Sequence, residues 1–178
     1  MFILLALIIS GKGKAQELAL STNVMGYLYL GTVNLEASYG VAQHWSMTAG
    51  VKYNPFEFGG ENTRVQAKQQ SYSVGARFWP WHIYSGWWIS GKLQYQEYDM
   101  GTYNSRYTSE GDRFGSGVTG GYTYMINPHI NMEVGLGVWA GLDRYVHYSC
   151  PRCGRVVGEG SQFFFLPNDV MLSVSYVF

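Results

Sequence analysis

Charged side chains are scarce in this sequence. Lysine, arginine, aspartate and glutamate make up 13% of its 178 residues, whereas soluble domains average about 25%. The basic and the acidic residues each number 12, so the formal net charge is zero. That balance gives no reason to expect a nucleic acid as partner, because nucleic-acid binding relies on a basic surface. The composition therefore argues against an ordinary soluble domain.

A long apolar helix is also missing from the pattern. The opening run "MFILLALIIS" is shorter than the roughly 20 apolar residues with which a helix crosses a bilayer. The mean hydropathy is −0.10, although 47% of the residues are hydrophobic and 17% are aromatic. These values describe a chain in which apolar and polar residues alternate. Such alternation is typical of a transmembrane β-barrel, which has lipid outside and a polar lumen inside.

The first residues read as an export signal. The apolar run is followed by "GKGKAQ", in which Gly13 and Ala15 occupy the small-residue positions of a cleavage site. We therefore predict a signal peptide over residues 1–15, cut before Gln16, and a barrel domain over residues 16–178.

Eight segments after Gln16 alternate with a period of two residues, the period of a β-strand. They are 18–28, 32–41, 44–54, 69–81, 86–98, 113–126, 129–148 and 170–178. Their connections alternate between short (42–44, 80–85, 127–129) and long (55–68, 101–112, 150–167). Short periplasmic turns and long extracellular loops are the rule in outer-membrane barrels. The pattern predicts an all-β protein, an eight-stranded antiparallel up-and-down transmembrane β-barrel in the bacterial outer membrane, with both termini periplasmic and the long loops extracellular.

The apolar faces of these segments carry almost no charge, unlike the outer surface of a soluble lipocalin-like barrel. We expect lipid to contact Val33, Leu35, Val74, Leu93, Val134, Leu136 and Leu172. The last segment should close the barrel against the first, which leaves no unpaired edge in lipid. Aromatic residues near both ends of the segments, Trp79 and Tyr98 among them, are expected to form interfacial girdles.

The lumen face carries five charged side chains, Glu36, Lys52, Arg77, Lys92 and Glu133. An eight-stranded barrel is just wide enough for its interior to be filled by side chains, so isolated charges there would be costly. Opposite signs at similar heights predict an ion network that plugs the lumen. Inward glycines such as Gly121 and Gly135 leave room, which we expect Trp139 or the arginine to fill. A narrow conducting channel is the less favoured alternative.

Two cysteines occur in the last long connection, in "HYSCPRCG". A disulfide between Cys150 and Cys153 suits an exported loop. A metal site formed with His147 would lack the fourth ligand of a structural zinc centre, and a redox pair would need a context that lowers a thiol pKa. The disulfide or loop clasp is favoured, a metal stays undetermined, and no cofactor is expected. We expect the pair to shape the loop locally and to be dispensable for barrel assembly.

His147 is the single histidine expected near the outer rim. Asp143, Ser149 and Ser105 are its conceivable partners in an enzyme that acts on lipid in the outer leaflet. No complete catalytic set emerges, so no catalytic residue is assigned and the barrel is expected to be non-enzymatic.

Three stretches of the chain resemble a known family: "LALSTNVMGYLYLGTVNLEASYGVAQHWSMTAGVKYNPF", "SYSVGARFWPW" and "YSCPRCGRVVGEGSQFFFLPNDVMLSVSYVF". The family is one of small outer-membrane barrel proteins from Bacteroidota, catalogued as a domain of unknown function. At "STNVMG" this chain departs from the family's usual "KTNLLY", so the first hairpin is where we expect a difference.

The resemblance implies a barrel surrounded by outer-membrane lipid and lipopolysaccharide. Because such genes are often found near fimbrial and OmpA-like genes, it also implies surface display, an adhesive or fimbria-associated role, or docking to another outer-membrane or surface protein. The alternatives are an enzyme resembling lipid A hydrolases and a narrow channel. The terminal Phe178, with apolar residues two, four and six positions upstream, resembles the signal read by the outer-membrane assembly machinery.

Overall fold

The computed structural model describes residues 18–28, 31–58, 65–101, 108–148 and 156–178. Along the chain they form β1 (Leu18–Asn23), α1 (Val24–Leu28), β2 (Val33–Ala42), β3 (Trp45–Asn54), β4 (Glu57–Phe58), β5 (Val65–Phe78), β6 (Gly86–Gly101), β7 (Thr108–Met125), β8 (Ile130–Tyr148) and β9 (Val156–Val177). The helical turn α1 is the sole helix in these ranges, and it is too short to cross a bilayer.

The strands form one closed antiparallel barrel. Each long strand pairs with its neighbours in sequence, and β1 pairs with β9, with Leu20 opposite Tyr176. β4 adds two residues beside the upper end of β5, while the body of β5 pairs with β3. Eight strands therefore make up the barrel wall, which confirms the predicted fold class.

Side chains alternate strictly between the two faces of the wall. Six of the seven residues expected on the outside are exposed there: Val33, Leu35, Val74, Leu93, Val134 and Leu136. The seventh, Leu172, is half-buried. Small polar side chains such as Ser90, Thr119 and Ser175 are buried on the opposite face. The outward apolar side chains form a band around the barrel, called here the apolar belt.

The girdle of aromatic residues is present at the short turns but not in full. Trp45 packs beside Phe78 with ring centroids 5.1 Å apart, and Trp87 meets Tyr122 edge-on at 5.2 Å, on the outer face. Trp79 and Tyr98 were assigned to the wrong face, since they are 0% and 5% exposed and point into the barrel. Both side chains have polar partners in the lumen, which the outer surface would not provide.

The first predicted strand was too long. β1 ends at Asn23 because the side chain of Asn34 replaces the next partner strand: its Oδ1 accepts from Asn23 N, and its Nδ2 donates to Asn23 O at 2.9 Å. Asn23 Oδ1 in turn accepts from Met25 N at 3.0 Å, as an N-cap does for a helix. A Cβ on Gly26 would lie 2.4 Å from Asn34 Nδ2, so the glycine leaves space for this arrangement. The chain turns helical at "VMG", within the stretch where it departs from the family's usual sequence.

The last predicted loop was also wrong in extent. Residues 156–169, placed in a loop, belong to β9, which pairs with β8 from Val156 to Tyr176. The loops after β3 and β6 are likewise shorter than expected, because β5 begins at Val65, β6 continues to Gly101 and β7 begins at Thr108. In the other direction, β5 ends at Phe78 rather than at residue 81.

The strands differ greatly in length, so the rim is uneven. β1 has 6 residues and β2 has 10, whereas β8 has 19 and β9 has 22. A tilted strand needs about 9–11 residues to cross the apolar layer of a membrane. The upper parts of β6–β9 exceed that length, and we call them the tall wall; in β9 the tall wall is Val156–Leu166.

The inward glycines make room for Trp88, not for Trp139. A Cβ on Gly121 would lie 2.5 Å from Trp88 Cζ2 and 2.5 Å from the carbonyl oxygen of Val134, and one on Gly135 would lie 3.3 Å from the same indole. Trp88 is 3% exposed. Its indole therefore fills the volume that two glycines on neighbouring strands leave open.

We expect Gly121→Ala to destabilise the barrel by about 1–3 kcal/mol, because a backbone carbonyl cannot move aside for the added methyl group. Gly91→Ala is the matched control, since no atom lies within 4 Å of its added Cβ. The free energy of unfolding in urea, followed by tryptophan fluorescence in detergent micelles, measures both. Equal stability of the two variants would contradict this account of the packing.

Candidate functional site

The lower lumen is closed by an ion network. Arg77 on β5 donates from Nη1 to Glu133 Oε2 on β8 at 2.8 Å, and from Nη2 to Glu36 Oε1 on β2. Arg77 is 4% exposed and Glu133 is 2% exposed. One guanidinium thus links two carboxylates from distant strands across the interior. Such charge-assisted pairs fix the side chains that fill a narrow lumen.

Aromatic rings close the end below this network. The guanidinium of Arg77 lies 4.4 Å from the centroid of Trp88, and Trp79 lies within 6.1 Å of both Trp88 and Tyr84. Trp79 Nε1 donates to Ser46 Oγ at 3.0 Å, and the Tyr84 hydroxyl donates to the carbonyl oxygen of Ser38 at 3.0 Å. Trp79, Tyr84 and Trp88 are at most 3% exposed, so this end is sealed.

The turn before β6 directs Tyr84 back into the barrel. Tyr84 has φ 63° and Gly86 has φ 76°, both in the left-handed region. Asn131 Nδ2 holds the turn by donating to the carbonyl oxygen of Tyr84 at 3.1 Å. Burial raises the pKa of the Tyr84 phenol above its usual value, so the hydroxyl stays protonated as a hydrogen-bond donor.

Lys52 and Lys92 lie higher in the lumen and are half-buried. Together with Glu36 they line a cavity of about 40 Å³. That volume is enough for one or two water molecules but not for an open channel. The structure therefore gathers Arg77, Glu36 and Glu133 into direct contact and places the two lysines beside the same network.

A second polar cluster crosses the upper lumen. Asp143, 1% exposed, accepts from the Tyr98 hydroxyl at 2.8 Å and from Gln162 Nε2 at 3.3 Å. Arg113 Nε lies 3.2 Å from Asp143 Oδ2, and its guanidinium lies 4.0 Å from the centroid of Tyr98. Burial and the hydrogen bond to Asp143 raise the pKa of Tyr98 to about 12. The cluster is neutral in sum and rigid.

This cluster forms the floor of a cavity of about 580 Å³, which we call the vestibule. Its lining includes Tyr98, Ser109, Arg113, Asp143, His147 and Gln162. These side chains come from the inner face of the tall wall. The vestibule opens at the end of the barrel opposite the aromatic seal.

His147 lies in the vestibule and has a partner that the sequence did not suggest. Ser109 Oγ lies 2.8 Å from His147 Nδ1, and Tyr145 packs against the imidazole with ring centroids 4.7 Å apart. Asp143, the proposed third member, is engaged by Arg113, Tyr98 and Gln162 instead. Ser109 was missed because it faces His147 across the β7–β8 pair, 38 residues away.

Several predicted residues lie outside the described ranges. They are Cys150 and Cys153, the two serines Ser105 and Ser149, and residues 1–15 of the expected signal peptide. The disulfide, metal and cleavage hypotheses therefore stay predictions. No group of three metal-ligating side chains is found in the ranges that are described.

The outer face of the tall wall is charged, in contrast to the apolar belt below it. Asp99 on β6, Glu110 on β7 and Glu159 on β9 lie along one row of paired residues, with Val146 of β8 between the last two. A depression of about 1090 Å³ is lined by side chains from this row and the next: Lys68, Glu97, Glu110, Asp112, Arg144 and Glu159. Glu110 raises the pKa of Tyr148 above its usual value, chiefly through its charge. Acidic groups thus dominate this face.

The fold and the two polar clusters can be set beside known proteins. The sequence matches the family described as "Protein of unknown function (DUF3575)" over residues 1–178. The chain belongs to that family. No curated protein matches the sequence. Membership adds no assigned activity, so the function has to be argued from the barrel itself.

The ion network predicts an order of stability among three variants. Arg77→Met leaves two buried carboxylates without their shared cation and should cost about 3–5 kcal/mol. Glu133→Gln leaves the pair of Arg77 with Glu36 intact and should cost less. Arg144→Met, on the exposed outer face, should change little. The temperature at which the folded band is lost in heat-modifiability gels ranks them, and a loss no greater for Arg77→Met than for Arg144→Met would contradict a structural role for the network.

Proposed function

We propose that this protein is a non-enzymatic outer-membrane β-barrel that anchors a rigid extracellular wall for interaction with other surface molecules. The single observation that carries the proposal is the contrast along the outer face. Apolar side chains are exposed around the barrel, and charged side chains replace them in the tall wall. Lipid would cover the first and water the second.

The apolar belt supports membrane anchoring. Val134 and Leu136 on β8 are 56% and 69% exposed, and Val74 on β5 is 59% exposed. A soluble protein rarely exposes so continuous an apolar surface, whereas an outer-membrane barrel needs an apolar band about 25 Å tall. Outer-membrane lipid and lipopolysaccharide are therefore the proposed surroundings of the belt.

The lumen supports an anchoring role over transport. The lower end is filled by Trp79, Trp88 and Tyr84, and the Arg77 network spans the interior above them. Polar side chains continue up to the Asp143 cluster. A solute would have to break both polar clusters to pass, so we propose that the barrel is closed in its resting state.

The uneven rim supports a function at the cell surface. The long strands β6–β9 carry the vestibule on one face and the charged depression on the other. A wall built of paired strands is stiffer than a loop, and rigid surfaces lose less entropy on binding. An adhesive role, or docking to another outer-membrane or surface protein, fits such a wall.

The proposed orientation predicts which cysteine substitutions a membrane-impermeant maleimide labels on intact cells. In a Cys150→Ser, Cys153→Ser background, Glu110→Cys on the tall wall should be labelled without treatment. His82→Cys, exposed in the turn before β6, should be labelled only after the outer membrane is permeabilised. Labelling of His82→Cys alone on intact cells would contradict the orientation, and a background variant that fails to assemble would contradict the dispensability of the cysteines.

A second candidate function rests on the contact between Ser109 and His147. A serine hydroxyl 2.8 Å from an imidazole has the spacing of a nucleophile and its base, and the vestibule opens toward the proposed outer leaflet. The contact uses Nδ1, and Asp143 is committed elsewhere, so no carboxylate orients the ring. The barrel should therefore release no fatty acid from purified lipopolysaccharide. Release that disappears in both Ser109→Ala and His147→Ala would establish the hydrolase instead.

A further inference from the structure

The strand β9 is paired on one side only over much of its length. On the β8 side it is paired from Val156 to Tyr176. On the other side β1 pairs with Ser173–Val177, and no other strand in the described part of the chain continues the pairing upward. The side chain of Asn23 extends the seam slightly, since its Oδ1 accepts from Leu172 N at 3.1 Å and its Nδ2 donates to the carbonyl oxygen of Val170 at 3.3 Å. Above that point the backbone edge of β9 is open.

An open strand edge presents a row of unpaired N–H and C=O groups. Within lipid such an edge would be too costly, and the seam indeed ends where β9 leaves the expected crossing segment. The edge from Val156 to Leu166 belongs to the tall wall. Pro167 lies at its lower end and cannot donate to a partner, so the usable edge begins above it.

The side chains on this edge define what could pair with it. Phe163 and Phe165 point outward and are 71% and 65% exposed. Glu159 lies on the same face four residues above Phe163 and is part of the acidic row that lines the charged depression. Leu142, opposite Phe163 on β8, adds a further exposed apolar surface.

We propose that the free edge of β9, Val156–Leu166, is a β-augmentation site for an extended polypeptide segment of another protein. The segment pairs antiparallel to β9, with apolar side chains opposite Phe165 and Phe163 and a basic side chain opposite Glu159. Its motif, read from its amino end, is therefore apolar, any, apolar, then three residues of any type, then basic. Main-chain hydrogen bonds supply affinity and the alternate side chains supply specificity.

A second copy of this chain in the same membrane fits the edge poorly. Barrel strands tilt by about 35–45°, and a two-fold axis along the membrane normal reverses the tilt of one copy relative to the other. Two β9 edges related in this way cross at a steep angle instead of running alongside each other. The acidic row would also face its own copy, so the occupant is a basic segment of a different protein.

The proposal rests on the proposed surface exposure of the tall wall, but its test does not use cells. The probe is a fluorescein-labelled peptide, TVTITTTKT, whose Val, Ile and Lys would face Phe165, Phe163 and Glu159. Its binding to the full-length barrel in detergent micelles is followed by fluorescence anisotropy. Amide hydrogen exchange then locates the contact, and alternate amides between Val157 and Phe165 should become protected.

Charge reversal fixes the register. Glu159→Lys should weaken TVTITTTKT by about five-fold and strengthen TVTITTTET by a similar factor, as expected for a cross-strand charge pair. Glu110→Lys is the matched control, because it makes the same charge change in the same row but two strands from the edge. It should alter neither affinity by more than about two-fold. Phe165→Ser should weaken both peptides by about ten-fold through lost apolar contact.

Three results would overturn the proposal. They are no binding at millimolar peptide, equal effects of the Glu159 and Glu110 reversals, and protection outside β9. A stable dimer of the purified barrel whose interface protects the same amides would replace the peptide by a second copy. The maleimide labelling of intact cells is independent of all these outcomes, so failure of the edge hypothesis leaves the proposed orientation standing, and failure of the labelling leaves the binding data interpretable.

Discussion

Closure of the sheet between β1 and β9 is the constraint on which the rest of the structure depends. Once the two strands pair, each barrel residue faces either the lumen or the outside, and the sequence must alternate accordingly. The lumen of an eight-stranded barrel is narrow and has to be filled by its own side chains. The shared cation of Arg77, and the glycines that admit Trp88, both follow from that requirement.

The lumen is therefore best understood as a solid polar core. Its lower part uses one arginine to neutralise two carboxylates, and its upper part uses Arg113 and Asp143 in the same way. Between these clusters the side chains are mostly uncharged and small. A protein folded around such a core gains rigidity rather than a route for solutes, which is why we place its function on the outer surface.

The same constraint explains what the sequence could predict. Alternation along lipid-facing and lumen-facing positions predicted the barrel, its eight strands, the inward charges and six exposed apolar positions. It failed in the tall wall, where both faces of Val156–Leu166 meet water or aromatic neighbours and "QFFFL" has no alternation to read. It failed at Val24–Leu28 because a single side chain, Asn34, takes the place of a strand. Contacts between distant strands, such as that of Ser109 with His147, depend on register, which a single sequence does not determine.

The asymmetry of the rim gives the barrel two different ends. Short strands and the turn α1 form one side of the mouth, and the tall wall with its open β9 edge forms the other. Aromatic side chains seal the opposite end completely. An anchor closed at one end and shaped at the other suits recognition, since the shaped end is held at a fixed height above the apolar belt.

Ion conductance across a planar lipid bilayer tests the central claim of a sealed, membrane-embedded barrel most directly. Fluorescently labelled protein, counted in the bilayer by single-molecule imaging, ensures that insertion is measured separately from current. The account predicts that inserted barrels give no current steps above the bare bilayer under an applied voltage. A sustained ohmic current proportional to the number of inserted barrels would contradict it.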